Sequence, residues 1–205
     1  MAKLFTNQNT WFGGYYELAI EVGPTSDTHL LAALTAIWRH PLLEGCYLDS
    51  QKEPDEQPNV QPTSELLSKM RLHGVAQLPN GRRVACGTIL IREDGGSDWL
   101  VFYLPLGALG EAYDIGEYPF DQPERSHDFW QKPLDEWLLE LSKYIYKLSP
   151  FRLALIGFEV SGDAYSDQIQ EDGIPLKRYF GYVWPQGDQV QYFPKNLART
   201  DLIIS

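Results

Sequence analysis

Glu17 and Glu21 are the first residues in this chain whose type and spacing suggest chemistry, because two carboxylates can divide the work of general acid and general base. In an extended strand, residues four apart share a face but stand about 13 Å apart, at roughly 3.3 Å per residue. Working carboxylate pairs of the glycosidase kind stand about 5 to 10 Å apart. Glu17 and Glu21 therefore cannot pair directly, and a pair forms only if Glu159, from a later strand, is brought beside one of them. The plain alternative is a set of solvated, outward glutamates that keeps one face of a sheet wet.

The four histidines, His29, His40, His73 and His127, are scattered and lack the close spacing of a metal-ligand set. His73 could join His127 and Asp128 in a site only through an accident of folding. Cys46 and Cys86 lie in apolar stretches without a paired-cysteine motif and read as buried free thiols. Asp163, Asp167, Glu171 and Asp172 fall between Gly162 and Gly173, but their order is not that of a calcium loop. No G-x-S-x-G elbow, G-x-G-x-x-G fingerprint or Walker loop occurs. No metal and no cofactor is expected from these motifs.

The least ordinary stretch runs from Pro105 to Gln131, far longer than the usual connection of about 4 to 6 residues. Its aromatic content calls for burial or contact rather than disorder. Between Glu111 and Asp128, six carboxylates face the single Arg125. Rings that anchor and carboxylates that steer are what a basic protein partner would meet. The candidate binding residues are Glu111, Tyr113, Asp114, Glu117, Tyr118, Phe120, Asp121, Glu124 and Trp130, joined by Asp163 and Asp167. The competing reading is a loop that covers an open sheet edge. A second candidate site, an aromatic pocket for a cationic small molecule, would use Glu17, Glu21, Glu159 and His73.

Composition narrows the classes further. The chain has 205 residues, 43% of them hydrophobic and 13% aromatic, enough for a real core. A net charge of −11 repels a phosphate backbone, so no nucleic-acid partner is expected. Met1 to Phe12 lacks the apolar run of a signal peptide, and the longest apolar stretches, Trp99 to Leu106 and Leu153 to Phe158, are far short of a bilayer span of about 20 residues. The expectation is a soluble cytoplasmic protein that does not bind membranes.

The elements that must position these residues follow from periodicity. Tyr16, Leu18, Ile20 and Val22 alternate with Glu17 and Glu21 as in a half-buried strand. Gly23-Pro24 ends it, and Ser26 or Asp27 caps a helix carrying Leu30, Leu31, Leu34, Ile37 and Trp38. Leu43 to Leu48 is a short strand, and the Pro-rich, charged stretch 50–63 reads as a mobile loop. Strands at Leu72 to Leu78 and Val84 to Arg92 flank the Asn80-Gly81 hairpin turn. Trp99 to Leu104, apolar on both faces, is a central strand. Pro133 starts a helix lined by Leu134, Trp137, Leu138, Leu141, Ile145 and Leu148, with Asp135 placed early as the dipole prefers. The strand Leu153 to Val160, the acidic loop Gly162 to Gly173 and a second hairpin, Tyr179 to Trp184 with Gln189 to Phe193, complete the chain.

This predicts a single α+β domain over residues 1–205, with an antiparallel or mixed sheet of about eight strands and two main helices packed on it. The order β-α-β-β-β recurs, so segments 13–93 and 98–194 are candidates for one shared plan. Three functional classes follow: a non-catalytic, acidic protein-interaction module of the inhibitor, immunity or accessory type; a small-molecule-binding domain; and an enzyme whose site is built from scattered carboxylates and histidine.

Overall fold

The alternation from Tyr16 to Val22 builds a strand that is buried on both faces. In the computed structural model, which describes residues 3–69, 71–113, 115 and 128–197, this strand, β1 (Tyr15–Pro24), lies near the middle of the sheet. It is followed by α1 (Asp27–Trp38), β2 (Leu43–Tyr47), β3 (Arg71–Gln77), β4 (Arg83–Arg92), β5 (Ser97–Pro105), α2 (Leu106–Tyr113), α3 (Asp128–Leu148), β6 (Leu153–Phe158), α4 (Ser166–Asp172), β7 (Gly181–Gln186) and β8 (Gln189–Phe193). All eight strands join one antiparallel sheet in the order β2-β3-β4-β5-β1-β6-β7-β8. The fold is α+β, as the pattern of hairpins and two long amphipathic helices requires.

The strand-helix-strand-strand-strand order is present twice, with α2 and α4 as additions to the second set. The sheet lays the two sets out differently. β5 sits beside β4, the last strand of the first set, whereas β1 sits beside β6, the first hairpin strand of the second.

One sheet face carries Tyr16, Leu18, Ile20, Leu100, Phe102, Leu104 and Ile156 against Leu30, Leu34 and Ile37 of α1 and Leu134, Leu138, Leu141 and Ile145 of α3. The other face carries Ala19, Trp99, Val101, Leu153 and Leu155, covered by Val160, Ala164 and Ile169 from the segment after β6. Burying a side chain of this size contributes about 1.5 to 3 kcal/mol, so both covers hold by apolar area. β5 is buried along its whole length, as its apolar run predicts.

Two connections differ from expectation. The long excursion from Pro105 contains α2, and α3 begins at Asp128 instead of Pro133, which lies inside the helix. The extra turn is held because Trp130 is completely buried. The acidic loop Gly162–Gly173 contains α4, anchored by the buried Ile169. Residues 50–63, expected as a mobile loop, are tied down by polar side chains, by the backbone and by Val60, which packs against the core. Glu53 accepts from the N–H groups of Leu4, Phe5 and Thr6, Gln57 donates to the carbonyls of Asp49 and Lys52, and Val60 N–H reaches Cys46 O at 2.8 Å.

Candidate functional site

Strand register decides where the charged candidates stand. Glu17 lies opposite Tyr103 of β5 and Gly157 of β6; Tyr103 lies opposite Gly87 of β4, and Gly87 opposite His73 of β3. Glu17 and His73 are therefore in one cross-strand row but three strands apart, roughly 14 Å at about 4.8 Å per strand. The space above Gly87 belongs to the Tyr103 ring: a Cβ there would meet Tyr103 Oη at 2.5 Å. His73 is walled off separately, with its ring 4.9 Å from Trp11 and 6.3 Å from Phe5. Burial pushes its pKa from 6.5 down to about 4, and its Nδ1 has no hydrogen-bond partner among the described residues. His73 is a neutral core side chain, and the pocket expected to combine it with Glu17, Glu21 and Glu159 is not assembled.

The two glutamates of β1 are not solvated, which corrects the reading of a wet sheet face: Glu17 is 3% exposed and Glu21 1%. The reason is that the sheet has a second cover. Glu21 Oε1 accepts from Ser97 Oγ at 2.7 Å and Ser166 Oγ at 2.9 Å, and Oε2 accepts from Ser166 N–H at 2.7 Å. Arg152 Nη1 stands 3.8 Å from the same carboxylate and also pairs with Asp167. Glu17 Oε1 accepts from the N–H groups of Val160 at 2.8 Å and Ser161 at 2.7 Å. Both carboxylates grip the backbone of the segment between β6 and α4. A chain crossing a sheet face there would otherwise bury unpaired N–H groups, at about 1 to 3 kcal/mol each.

Glu159 does come close to Glu17, the one carboxylate pairing that the sequence left open. Its N–H donates to Tyr15 O at 3.0 Å, its backbone is left-handed at φ 47°, and its exposed side chain crosses Gly14, where a Cβ would lie 2.7 Å from Glu159 Oε1. Burial raises the Glu17 carboxyl from 4.5 to about 7, against the lowering effect of the Ser161 and Val160 donors and with a further push from Glu159. Beside it, the Tyr15 ring packs at a tilt against that of Tyr103, centroids 4.5 Å apart, and already carries a cation, Arg71, 5.7 Å from its ring centroid and 3.2 Å from its hydroxyl.

The aromatic and acidic stretch is only partly described. Asp114, Glu117, Tyr118, Phe120, Asp121 and Glu124 lie outside the described residues. Glu111, exposed on α2, accepts a hydrogen bond from Asn7 Nδ2. Tyr113 is half-buried with its ring 6.4 Å from that of Trp130. Trp130, expected as a surface anchor, is a core residue instead: it is 0% exposed and packs 5.3 Å from the Tyr16 ring. Asp163 and Asp167 are both exposed, and Asp167 is engaged by Arg152.

Sequence reasoning also missed a buried polar contact. Asp135, assigned to the helix dipole, accepts a hydrogen bond from Tyr16 and is 6% exposed. Burial raises it from 3.8 to about 6, opposed by the charge of Lys195 and by the Tyr16 hydroxyl. Its place beside the apolar ridge of Leu134 and Leu138 was the available signal.

Among the described residues no group of three or more His, Cys, Asp or Glu is placed to hold a metal ion. Cys46 and Cys86 are free and buried, and burial pushes the Cys46 thiol up to about 11, far from the thiolate range of a nucleophile. No described helix is long and apolar enough to cross a membrane. Comparison of the chain with family models, with curated proteins and with solved structures finds no match.

Proposed function

We propose that this protein is a non-catalytic interaction module of the inhibitor, immunity or accessory type, which engages a positively charged protein in the cytoplasm. The contact surface of the proposal is the segment from Glu159 to Asp172, together with the acidic stretch that follows α2. The observation that carries it is a combination: Glu159, Asp163, Glu171 and Asp172 are exposed and form no ion pair among the described residues, while the backbone that bears them is gripped by two buried carboxylates. Surface carboxylates on a pre-ordered segment lose little conformational freedom on binding, and their unneutralised field steers a basic partner into place. The net charge of −11 acts in the same direction at long range. The two buried free thiols suit a reducing compartment.

The test is capture of partners from native extract at low and at high salt, followed by affinity measurement on the captured protein with a variant carrying Asp163→Lys, Glu171→Lys and Asp172→Lys. The expected result is a basic partner, released by salt, whose affinity for the triple variant drops by on the order of tenfold or more. Undiminished binding by the triple variant, or capture indifferent to salt, overturns the proposal.

A further inference from the structure

The sequence offers rings and carboxylates for a cationic ligand, but the fold sets a cation of its own on those rings. Arg71, at the start of β3, donates from Nη1 to Tyr15 Oη at 3.2 Å, and its guanidinium stands 5.7 Å from the Tyr15 ring centroid. Arg83, Arg92 and Arg152 each pair with a carboxylate, and Arg178 donates to backbone carbonyls. Arg71 is exposed and has a single neutral acceptor, the Tyr15 phenol, among the described residues. A guanidinium carries five N–H donors in a planar fork, so most of those on Arg71 remain open to water or to a ligand.

The groups beside Arg71 add further donors. A phenol oxygen that accepts one hydrogen bond keeps its own proton to give, so Tyr15 can accept from Arg71 and donate outward. Tyr103, tilted against Tyr15, makes no hydrogen bond among the described residues. Burial raises its hydroxyl, against the lowering effect of the Arg71 charge, so it remains a donor at neutral pH. The floor next to these groups is apolar. Ile89 stands opposite Arg71 in the β3–β4 ladder, and Ile89 and Ile91 are half-buried, whereas Val101 and Trp99, their neighbours on β5, are buried. The second sheet face is therefore less covered over β4 than over β5, and this strip lies on the side away from α2 and α3.

We infer that Arg71, Tyr15 and Tyr103 form a binding site for a small organic carboxylate, whose head meets the Arg71 fork and the two phenolic hydroxyls while its apolar body lies on Ile89 and Ile91. Charge decides the class of ligand, because a fixed cation repels a second one and attracts an anion. The two oxygens of a planar carboxylate match the guanidinium fork, and the isoleucines favour a ligand with an apolar body over a bare ion. Glu159, whose N–H is bonded to Tyr15 O, and the net charge of −11 work against any anion, so the affinity is modest, with a Kd on the order of 1 mM for a simple probe. The site shares no residue with the acidic segment of the proposed partner surface and stands or falls independently of it.

Nuclear magnetic resonance titration of the isotope-labelled full chain with sodium benzoate tests this, read at the backbone amides and at the arginine Nε–H signals. The expected result is a saturable shift at Arg71, Tyr15, Tyr103 and Ile89. Benzylamine, a similar ring with the opposite charge, should leave those signals in place, and inorganic phosphate should bind about threefold more weakly than benzoate or worse, because it has no apolar body. Arg71→Gln should weaken benzoate binding by about tenfold or more. Arg71→Lys keeps the charge but loses the fork, and should lie between the two. Tyr103→Phe, which removes one oxygen from a packed ring, should cost about threefold. Absence of a saturable shift up to about 20 mM benzoate overturns the inference. Equal shifts with benzylamine, phosphate bound as tightly as benzoate, or benzoate affinity unchanged by Arg71→Gln in a chain that unfolds at the wild-type temperature overturns it as well.

Discussion

Glu17 and Glu21 stand on the same face of the same strand, both buried, both gripping the segment after β6, yet they differ in how far they are satisfied. Glu21 receives three hydrogen bonds shared over both oxygens and has Arg152 nearby. Glu17 takes the Val160 and Ser161 N–H groups on a single oxygen, is also lowered by the Ser161 side chain, faces the like charge of Glu159, and its carboxyl is still raised by burial to about 7. Burial by itself says little about a carboxylate. The count of donors set against the loss of water decides whether it stays charged. Glu53 makes the same point from the surface: burial pushes its carboxyl up, but donors from Thr6, Phe5 and Leu4 outweigh that and hold it below the usual range.

The largest expected effect is at Glu21. Glu21→Ala strands Ser97, Ser166 and the Ser166 N–H without an acceptor and should cost about 3 kcal/mol in chemical denaturation, more than Glu17→Ala. Equal losses for the two would break the contrast.

Next comes pH. Between 4.5 and about 7 the folded chain keeps a proton on Glu17 that the unfolded chain has released. Stability therefore falls as pH rises through that window, by at most about 1.4 kcal/mol per unit for one proton. Glu17→Gln, whose amide oxygen can still accept from Val160 and Ser161, should flatten this slope and unfold at higher denaturant than wild type at pH 8. An unchanged slope would mean that Glu17 is ionised in the fold at neutral pH.

His73 has the opposite sign. Its pKa is lowered from 6.5 to about 4, so the unfolded chain binds a proton there that the fold refuses, and stability is lost as pH falls through that range. His73→Phe should remove the acid-side loss and leave the Glu17 slope more visible between pH 5 and about 6.5. The smallest effect belongs to Glu53→Ala, about 1 kcal/mol, read most directly as faster hydrogen exchange at Leu4, Phe5 and Thr6 with the sheet amides unchanged.

Much of the fold was legible because it depends on short-range rules. Asn80-Gly81 fixed the first hairpin, with Gly81 at φ 79°, and Ser26 caps α1 by accepting from His29 N–H. The apolar run at Trp99–Leu104 identified a strand covered on both sides. What misled was the assumption that a charged side chain alternating with apolar ones must face water. Glu17 and Asp135 broke it, because their partners, the Val160 and Ser161 amides and the Tyr16 hydroxyl, lie more than a hundred residues away in the chain. Trp130 failed in the opposite sense: a ring in an acidic stretch read as a surface anchor, and the extended first turn of α3 carried it inward.

Periodicity, turn chemistry and charge balance by themselves determined that this chain forms an α+β fold around a sheet of hairpins, and that it carries a strong negative charge. Those properties are local or additive, so no knowledge of neighbours is needed to read them. Only the tertiary structure decided that β1 is interior, and that its glutamates clamp a crossing segment instead of meeting solvent. Each of these depends on which distant strands become neighbours, and that is set by the packing of both faces at once.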